Sequence, residues 1–419
     1  MMRIDTGKLN EEAFVTCMDN GLTVYFVNKP GFKKKAALLG INYGSVDTAF
    51  ESDGAAFQTP AGTAHFLEHK LFDMPDGRNA LQLFSRMGAS PNAFTSGSAT
   101  AYHFECTGCF DDAFKLLLEC VFTPFFTESG VEKERGIIAR EISMYADMPA
   151  ARLYNGLMPM LYAEHPIRGP VIGTAESIAE ISDKTLYDCY NAFYRPSNMV
   201  LAVAGDLDSG AVEEAVARLS PRNGAPPPRF AFSEPPEIPE YEKTMYWDVP
   251  QPMFLIGVKL PPQKMSLQRE IQCKLALDAL CGTSSKLYGE LYDMGLIDSS
   301  FGASPYFFKG GGVLLFTGLS PDPPAVRNAL LREAERLAAA GIEPALFERV
   351  KRAEWGERIR ELDSPMSIVR GAALGRMSGA DFFSLPEAFD GLDAEMTGDI
   401  FSQMGNMAII QCRRNGNDS

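Results

Sequence analysis

Histidine is scarce in this chain, with four among 419 residues, and there are only two tryptophans. Few imidazoles leave few places for an imidazole metal site. Basic residues are also in the minority, 39 Lys and Arg against 54 Asp and Glu, for a formal net charge of −15. That balance excludes a general nucleic-acid binder, which needs a basic footprint; a solvated acidic surface is the simpler reading. No apolar run is long enough to span a bilayer. The opening stretch MMRIDTGKLNEEAF lacks the apolar core of a secretory signal, so a cytoplasmic protein is expected. Eight cysteines are scattered, most in apolar stretches such as LLLEC and IQCKLALDALC, and read as reduced core thiols. Cys106 and Cys109 form one CxxC, but no second ligand pair follows at the spacing a zinc site uses. No GxxxxGKS/T loop is present, and the glycines of FKGGGVLL read as a turn or bulge rather than a phosphate cradle.

What is there divides in two. The stretch SPRNGAPPPRFAFSEPPEIPEY, residues 220–241, holds seven prolines. Such a segment is extended and cannot form a helix or a central strand. It predicts a first domain over 1–220, a linker over 221–241 and a second domain over 242–419. In the first part, GLTVYFVNK, AALLGINYGS, ATAYHFEC and MVLAVAGDL read as strands. GTAHFLEHKLF, NALQLFSRMG, DDAFKLLLECVF, VEKERGIIAREISMYADM and TLYDCYNAFY read as helices. The second part echoes this order: strands in TMYWDVPQPMFLIGVKLP, a helix in LQREIQCKLALDALCG, a strand in GGGVLLFTGLS. Two more helices follow, PPAVRNALLREAERLAAAG and PALFERVKRAEWGERIREL. The pattern predicts an α+β chain in which one unit is used twice.

Two of the four histidines sit in GTAHFLEHKLF. Residues four apart share one face of a helix, so His65 and His69 can point at one ion. Glu68 lies on the same side and is placed to take a proton from a water and pass it to a leaving amine. HxxEH is the reversed zincin spacing. A catalytic zinc takes three protein ligands and keeps one position open. The carboxylates nearest to hand are Glu134 and Glu141 in VEKERGIIAREISMY. Seven residues apart on a helix, they share a face but lie about 10 Å apart along its axis, so both cannot bind one ion. Spacing does not choose between them. The second part has no HxxEH, so one metal site per chain is expected.

With HxxEH, the strand SPNAFTSGSATAYHFEC, the paired glutamates of ERGIIARE and the stretches HPIRGPVIGTAESI and FYRPSNMVLAVAGD, the chain resembles the insulinase/pitrilysin family of zinc metallopeptidases. In size it is similar to the mitochondrial processing peptidase branch. Within that family the likeness extends to the bacterial YmfH-like group, through GASPNAFTS and LYGELYDMGLIDSSF. The resemblance implies two similar α/β-sandwich lobes, each an antiparallel-rich sheet packed by helices, together forming half of a clamshell. It implies a zinc-dependent endopeptidase acting on extended peptides. His65, His69 and Glu141 would bind Zn2+, Glu68 would be the general base, and Glu134 would support the ligands. Asn92, Ala93, Phe94 and Thr95 would pair with substrate as an edge strand, whose backbone hydrogen bonds tolerate many sequences. The YmfH likeness also implies a link to the 5-aminopentanol modification of elongation factor P.

One departure stands out. Active members of the family carry an arginine and a tyrosine in the second half, in a pattern like LR…GLGY, that steady the developing oxyanion. Here the matching stretch runs Leu291-Tyr292-Asp293-Met294-Gly295-Leu296-Ile297-Asp298. Tyr292 replaces the arginine and Asp298 the tyrosine. Two expectations follow. The chain is the metal-bearing subunit of a pair, whose partner is a paralogue without HxxEH supplying the Arg/Tyr pair, or it forms a homodimer. Alternatively, it is a non-proteolytic scaffold that retains a metal site.

Overall fold

The computed structural model describes residues 1–52, 54–217, 219, 224–225, 228–230 and 232–414. Residues 220–223, 226, 227 and 231 of the proline-rich stretch lie outside them. The chain folds as two compact units. The first comprises Met1–Ile142, Pro170–Ala231 and Ile359–Pro386; the second comprises Ser143–Gly169, Phe232–Arg358 and Glu387–Ser419.

In the first unit, strands β1 (Met2–Arg3), β2 (Glu12–Cys17), β3 (Thr23–Asn28) and β4 (Lys35–Ile41) come first, then a small separate hairpin of β5 (Ala49–Ser52) and β6 (Ala55–Gln58). Helices α1 (Thr63–Lys70) and α2 (Ala80–Arg86) lead into a second hairpin, β7 (Ser90–Thr95) and β8 (Thr100–Cys106). Helices α3 (Phe110–Phe122) and α4 (Glu128–Ala146) follow. After α5 (Pro149–Leu161), helices α6 (Ala175–Ala179) and α7 (Asp183–Phe193) return to strand β9 (Met199–Gly205) and helix α8 (Ser209–Ala217). The sheet order is β1-β2-β3-β9-β4-β8-β7, with β3 and β9 parallel and every other pair antiparallel. β9 is buried along its whole length because it lies mid-sheet with both faces covered, as its unbroken apolar run predicts.

The second unit builds its sheet from β10 (Glu242–Tyr246), β11 (Met253–Leu260), β12 (Gly302–Phe308), β13 (Gly311–Leu319) and β14 (Met407–Arg413). Their order is β10-β14-β11-β13-β12. Helices α9 (Leu267–Cys281), α10 (Lys286–Asp293), α11 (Pro323–Ala340) and α12 (Pro344–Glu361) accompany them, and α13 (Pro365–Ser378) follows. The five strands repeat the order β3-β9-β4-β8-β7 of the first unit, down to the single parallel pair, here β10 with β14. The architecture is thus α+β with one unit used twice.

The division of the chain is not a single cut at the prolines. Helix α5, from the N-terminal half of the sequence, packs on β11 and β14 of the second unit. Helix α13, from the C-terminal half, packs on β4 and β9 of the first. These strands occupy equivalent places in the two sheets, so the halves of the chain exchange one covering helix each. The cause is physical: each sheet needs apolar cover on its second face, and α5 and α13 supply it with Leu153, Leu157 and Leu161, and with Ile368, Val369 and Ala373. Among the described residues, no helix is long and apolar enough to cross a membrane.

Candidate metal centre

Helix α1 starts at Gly62, whose φ is +91°, and a Cβ there would come within 2.6 Å of the Ile172 carbonyl oxygen. Only glycine both turns the chain and lets the 172–173 loop close over the helix start. Phe66 and Leu67 are fully buried in the core of the first unit. Their burial fixes the rotation of α1 and leaves His65, Glu68 and His69 along one edge of the helix. Helix α4 lies alongside. It buries Val131 and Ile138, and the same seven-residue spacing carries Glu134 and Glu141 toward the histidines. Lys70 is 1% exposed; its Nζ meets Asp73 at 2.5 Å and reaches the first turn of α4 beside Gly130. Arg135 anchors α4 further by donating to the backbone oxygens of Ile178 and Ile181.

His65 Nε2 stands 3.8 Å from Glu141 Oε1, and His69 Nε2 stands 3.6 Å from Glu141 Oε2. One ligand atom from each of the three residues lies within 4.8 Å of the others. The separations are too long for hydrogen bonds. They are close to what one ion imposes: tetrahedral ligands held at 2.0–2.1 Å stand about 3.4 Å apart. Two imidazoles and a carboxylate are, moreover, a donor set that catalytic zinc uses. The residues therefore fit a zinc ion.

Glu134 is seven residues earlier and serves differently. Its Oε1 lies 2.9 Å from His69 Nδ1, so it accepts that nitrogen's proton and leaves Nε2 free as a lone-pair donor. His65 has no such support; its Nδ1 is buried without a hydrogen-bond partner. Burial, then the neighbouring His69, push the His65 pKa down to about 3, which keeps the ring neutral and able to ligate. Burial also acts to lower His69, but the hydrogen bond it donates to Glu134 and the charges of Glu68, Glu134 and Glu141 outweigh it and raise its pKa.

Glu68 is buried, and Thr95 Oγ1 donates to its Oε2 at 2.5 Å. Burial pushes the carboxyl up to about 7, against the Thr95 hydroxyl and His69, with Glu141 adding to the rise. Thr95 is held in turn: its hydroxyl lies 3.3 Å from that of Thr100, which donates to the Tyr43 carbonyl. A carboxyl near neutrality, fixed on one oxygen and set beside a ligand cluster, is equipped to take and return a proton.

Strand β7 ends the sheet, with no strand beyond it among the described residues. Its side chains alternate. Thr95 and Ala93 lie on the α1 side, whereas Phe94 lies on the opposite face with His103, 6.2 Å between ring centroids. Asn92 is exposed and its Oδ1 accepts from the Ala93 N–H. The four strand residues are thus adjacent in backbone but not in side chain, and only Thr95 touches the Glu68 group. The Thr95–Glu68 bond and the buried Lys70 were beyond sequence reasoning, since nothing in the spacing links residue 68 to residue 95.

Two family models match the chain: insulinase, peptidase family M16, over residues 32–175, and the peptidase M16 inactive domain over residues 180–354. A protein named uncharacterized zinc protease YmfH, from Bacillus subtilis, is 38% identical over 87% of this chain and 87% of its own length. The chain belongs to peptidase family M16. The crystal structure of an M16-like peptidase from Alicyclobacillus acidocaldarius matches with a TM-score of 0.93 and 32% identity, over 98% of this chain and all of that one. The Caenorhabditis elegans mitochondrial-processing peptidase subunit beta is 29% identical over 48% of this chain and 43% of its own length. The first family model spans His65 and His69 of α1 and Glu134 and Glu141 of α4; the second spans α7 to the middle of α12, where no HxxEH occurs.

Proposed function

We propose that the chain is the metal-bearing subunit of a zinc-dependent endopeptidase that hydrolyses extended peptides. The observation that carries the proposal is the convergence of His65, His69 and Glu141 beside a buried Glu68 that Thr95 holds in place. His65, His69 and Glu141 would hold one zinc ion per chain, and Glu134 would keep His69 in the ligating tautomer. A zinc ion so held supplies Lewis acidity, polarising a peptide carbonyl and easing deprotonation of a water. Glu68 takes the water's proton on the carboxylate oxygen not engaged by Thr95 and delivers it to the leaving amine nitrogen. The substrate lies in extended form along the backbone of Asn92, Ala93, Phe94 and Thr95, at the free edge of β7.

The second half lacks the donors that would finish the site. Tyr292, in the arginine's place at the end of α10, is 52% exposed. Asp298, in the tyrosine's place, accepts from both the backbone N–H and the hydroxyl of Ser300, which hold its carboxyl below the ordinary range. An ionised carboxylate cannot donate to an oxyanion, and one missing donor costs on the order of 3–4 kcal/mol of transition-state stabilisation. A paralogous subunit without HxxEH, carrying the Arg/Tyr pair, would supply them. All eight cysteines are free, in keeping with a cytoplasmic enzyme. The link to elongation factor P rests on the YmfH likeness alone.

Substituting Glu68→Gln tests the assignment. Zinc content is expected to be unchanged while peptide hydrolysis, measured with the paralogue present, falls by at least about a hundredfold. In cells the same variant is expected to alter the mass of modified elongation factor P. Hydrolysis at the wild-type rate removes Glu68 from the mechanism. Zinc bound tightly, with no hydrolysis by the wild type even with the paralogue, favours the scaffold reading, which the loss of the arginine–tyrosine pair supports.

A further inference from the structure

The face of β7 that points away from Glu68 carries a feature the peptidase mechanism does not use. Helix α13 covers the sheet on that side, with Met377 against Gly40 of β4. From α13, Arg370 lays its guanidinium over the ring of Phe94, with Cζ 4.7 Å from the centroid. The Phe94 ring lies against His103 in turn. His103 stands opposite Asn92 in the hairpin register, and its Nδ1 is buried with no hydrogen-bond partner. Arg370 is exposed, and among the described residues it has neither an ion-pair partner nor a hydrogen bond. The acidic residue nearest on the same strand face, Glu105, is engaged by Lys34 at 3.2 Å. Burial and the Arg370 charge together push the His103 pKa down, so this ring adds no second cation. The result is one unpaired guanidinium, oriented by an aromatic ring, at the open edge of the sheet.

We propose that Arg370 is a specificity-determining residue that selects peptides carrying an acidic side chain on the face turned away from Glu68. This rests on the docking of peptide along β7 proposed above. A strand added to that edge alternates its side chains between the two faces. Every second residue then falls on the Phe94 side, and the others fall on the Thr95 and Glu68 side. A carboxylate beside Phe94 meets a planar donor fork already restricted by stacking, which favours charge-assisted hydrogen bonds. The net charge of −15 opposes acidic peptides at long range. A preference for acid therefore has to come from a local cation, and Arg370, stacked on Phe94, is one that stands at the β7 edge.

The test is a binding measurement, so that it does not depend on turnover or on a partner. Fluorescein-labelled ten-residue peptides of alanine, valine and serine are titrated by anisotropy against the full chain on a Glu68→Gln background. A single glutamate is moved along the peptide one position at a time, with glutamine and lysine versions of each. The expected result is a glutamate preference over glutamine of about tenfold, confined to alternate positions and weakened by salt. The preference falls to near onefold in Arg370→Gln, is partly kept in Arg370→Lys and turns toward lysine in Arg370→Glu. A glutamate preference that survives Arg370→Gln overturns the proposal. So does equal binding of all three peptide versions, which leaves strand docking intact. No binding of any peptide, the all-neutral one included, overturns strand docking and the proposal together.

Discussion

Glu134 and Glu141 are chemically identical and sit on one helix face, yet the fold gives them different tasks. Glu141 faces both Nε2 atoms, while Glu134 meets the far nitrogen of His69. Replacing Glu134 by alanine leaves the three proposed ligands, His65, His69 and Glu141, in place but frees the His69 ring and its tautomer. The expected loss is about 10- to 100-fold in zinc affinity with the fold intact, read by competition against a zinc-binding dye. A loss as deep as that of His65→Ala would make Glu134 a ligand instead; no loss would leave it without a role. At this scale the sequence was only half legible. Helix periodicity alone pairs His65 with His69, because that pairing is local. The choice between Glu134 and Glu141, and the Thr95 hydroxyl on Glu68, depend on how α4 and β7 dock against α1, which no local period encodes.

Among the elements, the strands and helices with strong periodic patterns stand where their residues predict, from β3 and β4 to α3 and α7. Less patterned segments were harder to read. β14 begins just after a run of short helices, and α5 carries an internal proline at Pro159. The repeat itself was more legible than its motifs suggest: GASPNAF ends in the edge strand of the first sheet and GASPYFF in that of the second. Where the first unit joins α1 to α4 through its histidines and glutamates, the second joins α9 to α12 through Arg358, paired with Glu270 and Glu354 at 2.8 Å each.

The segment before β10 is pinned by Glu234, a residue of the proline-rich stretch. It accepts from the backbone N–H groups of Ala163, Glu164 and His165 and from Lys259, whose Nζ is 2.7 Å away. Burial alone would raise its pKa, but Lys259 and the three N–H groups hold it down at about 2. A carboxyl whose folded pKa is depressed stabilises the fold above its ordinary value near 4.5, and that contribution fades as pH falls toward 2. Glu234→Gln is therefore expected to destabilise the protein by about 1–2 kcal/mol at pH 7, allowing for solvent screening. The gap from wild type should close in thermal melts taken from pH 5 down to pH 2. A gap that stays constant across that range would show that the charge of Glu234 adds nothing.

On the scale of the whole molecule, two units of one design share the work unequally. The first holds the ligand cluster and the open strand edge. The second keeps the topology while an ion-pair cluster stands where the first has its histidine–glutamate cluster, and an exposed tyrosine and a locally bonded aspartate replace the expected donors. The exchange of α5 and α13 was hidden in the sequence because the apolar residues of a helix carry no mark of which sheet they cover. All of this turns on whether the cluster between α1 and α4 binds metal. The most direct test is metal content by mass spectrometry on the purified chain, beside His65→Ala and Glu141→Ala, with folding checked by circular dichroism. About one zinc per chain is expected in the wild type, with its loss in both folded variants. A wild type without metal, or metal retained in both variants, would contradict that expectation.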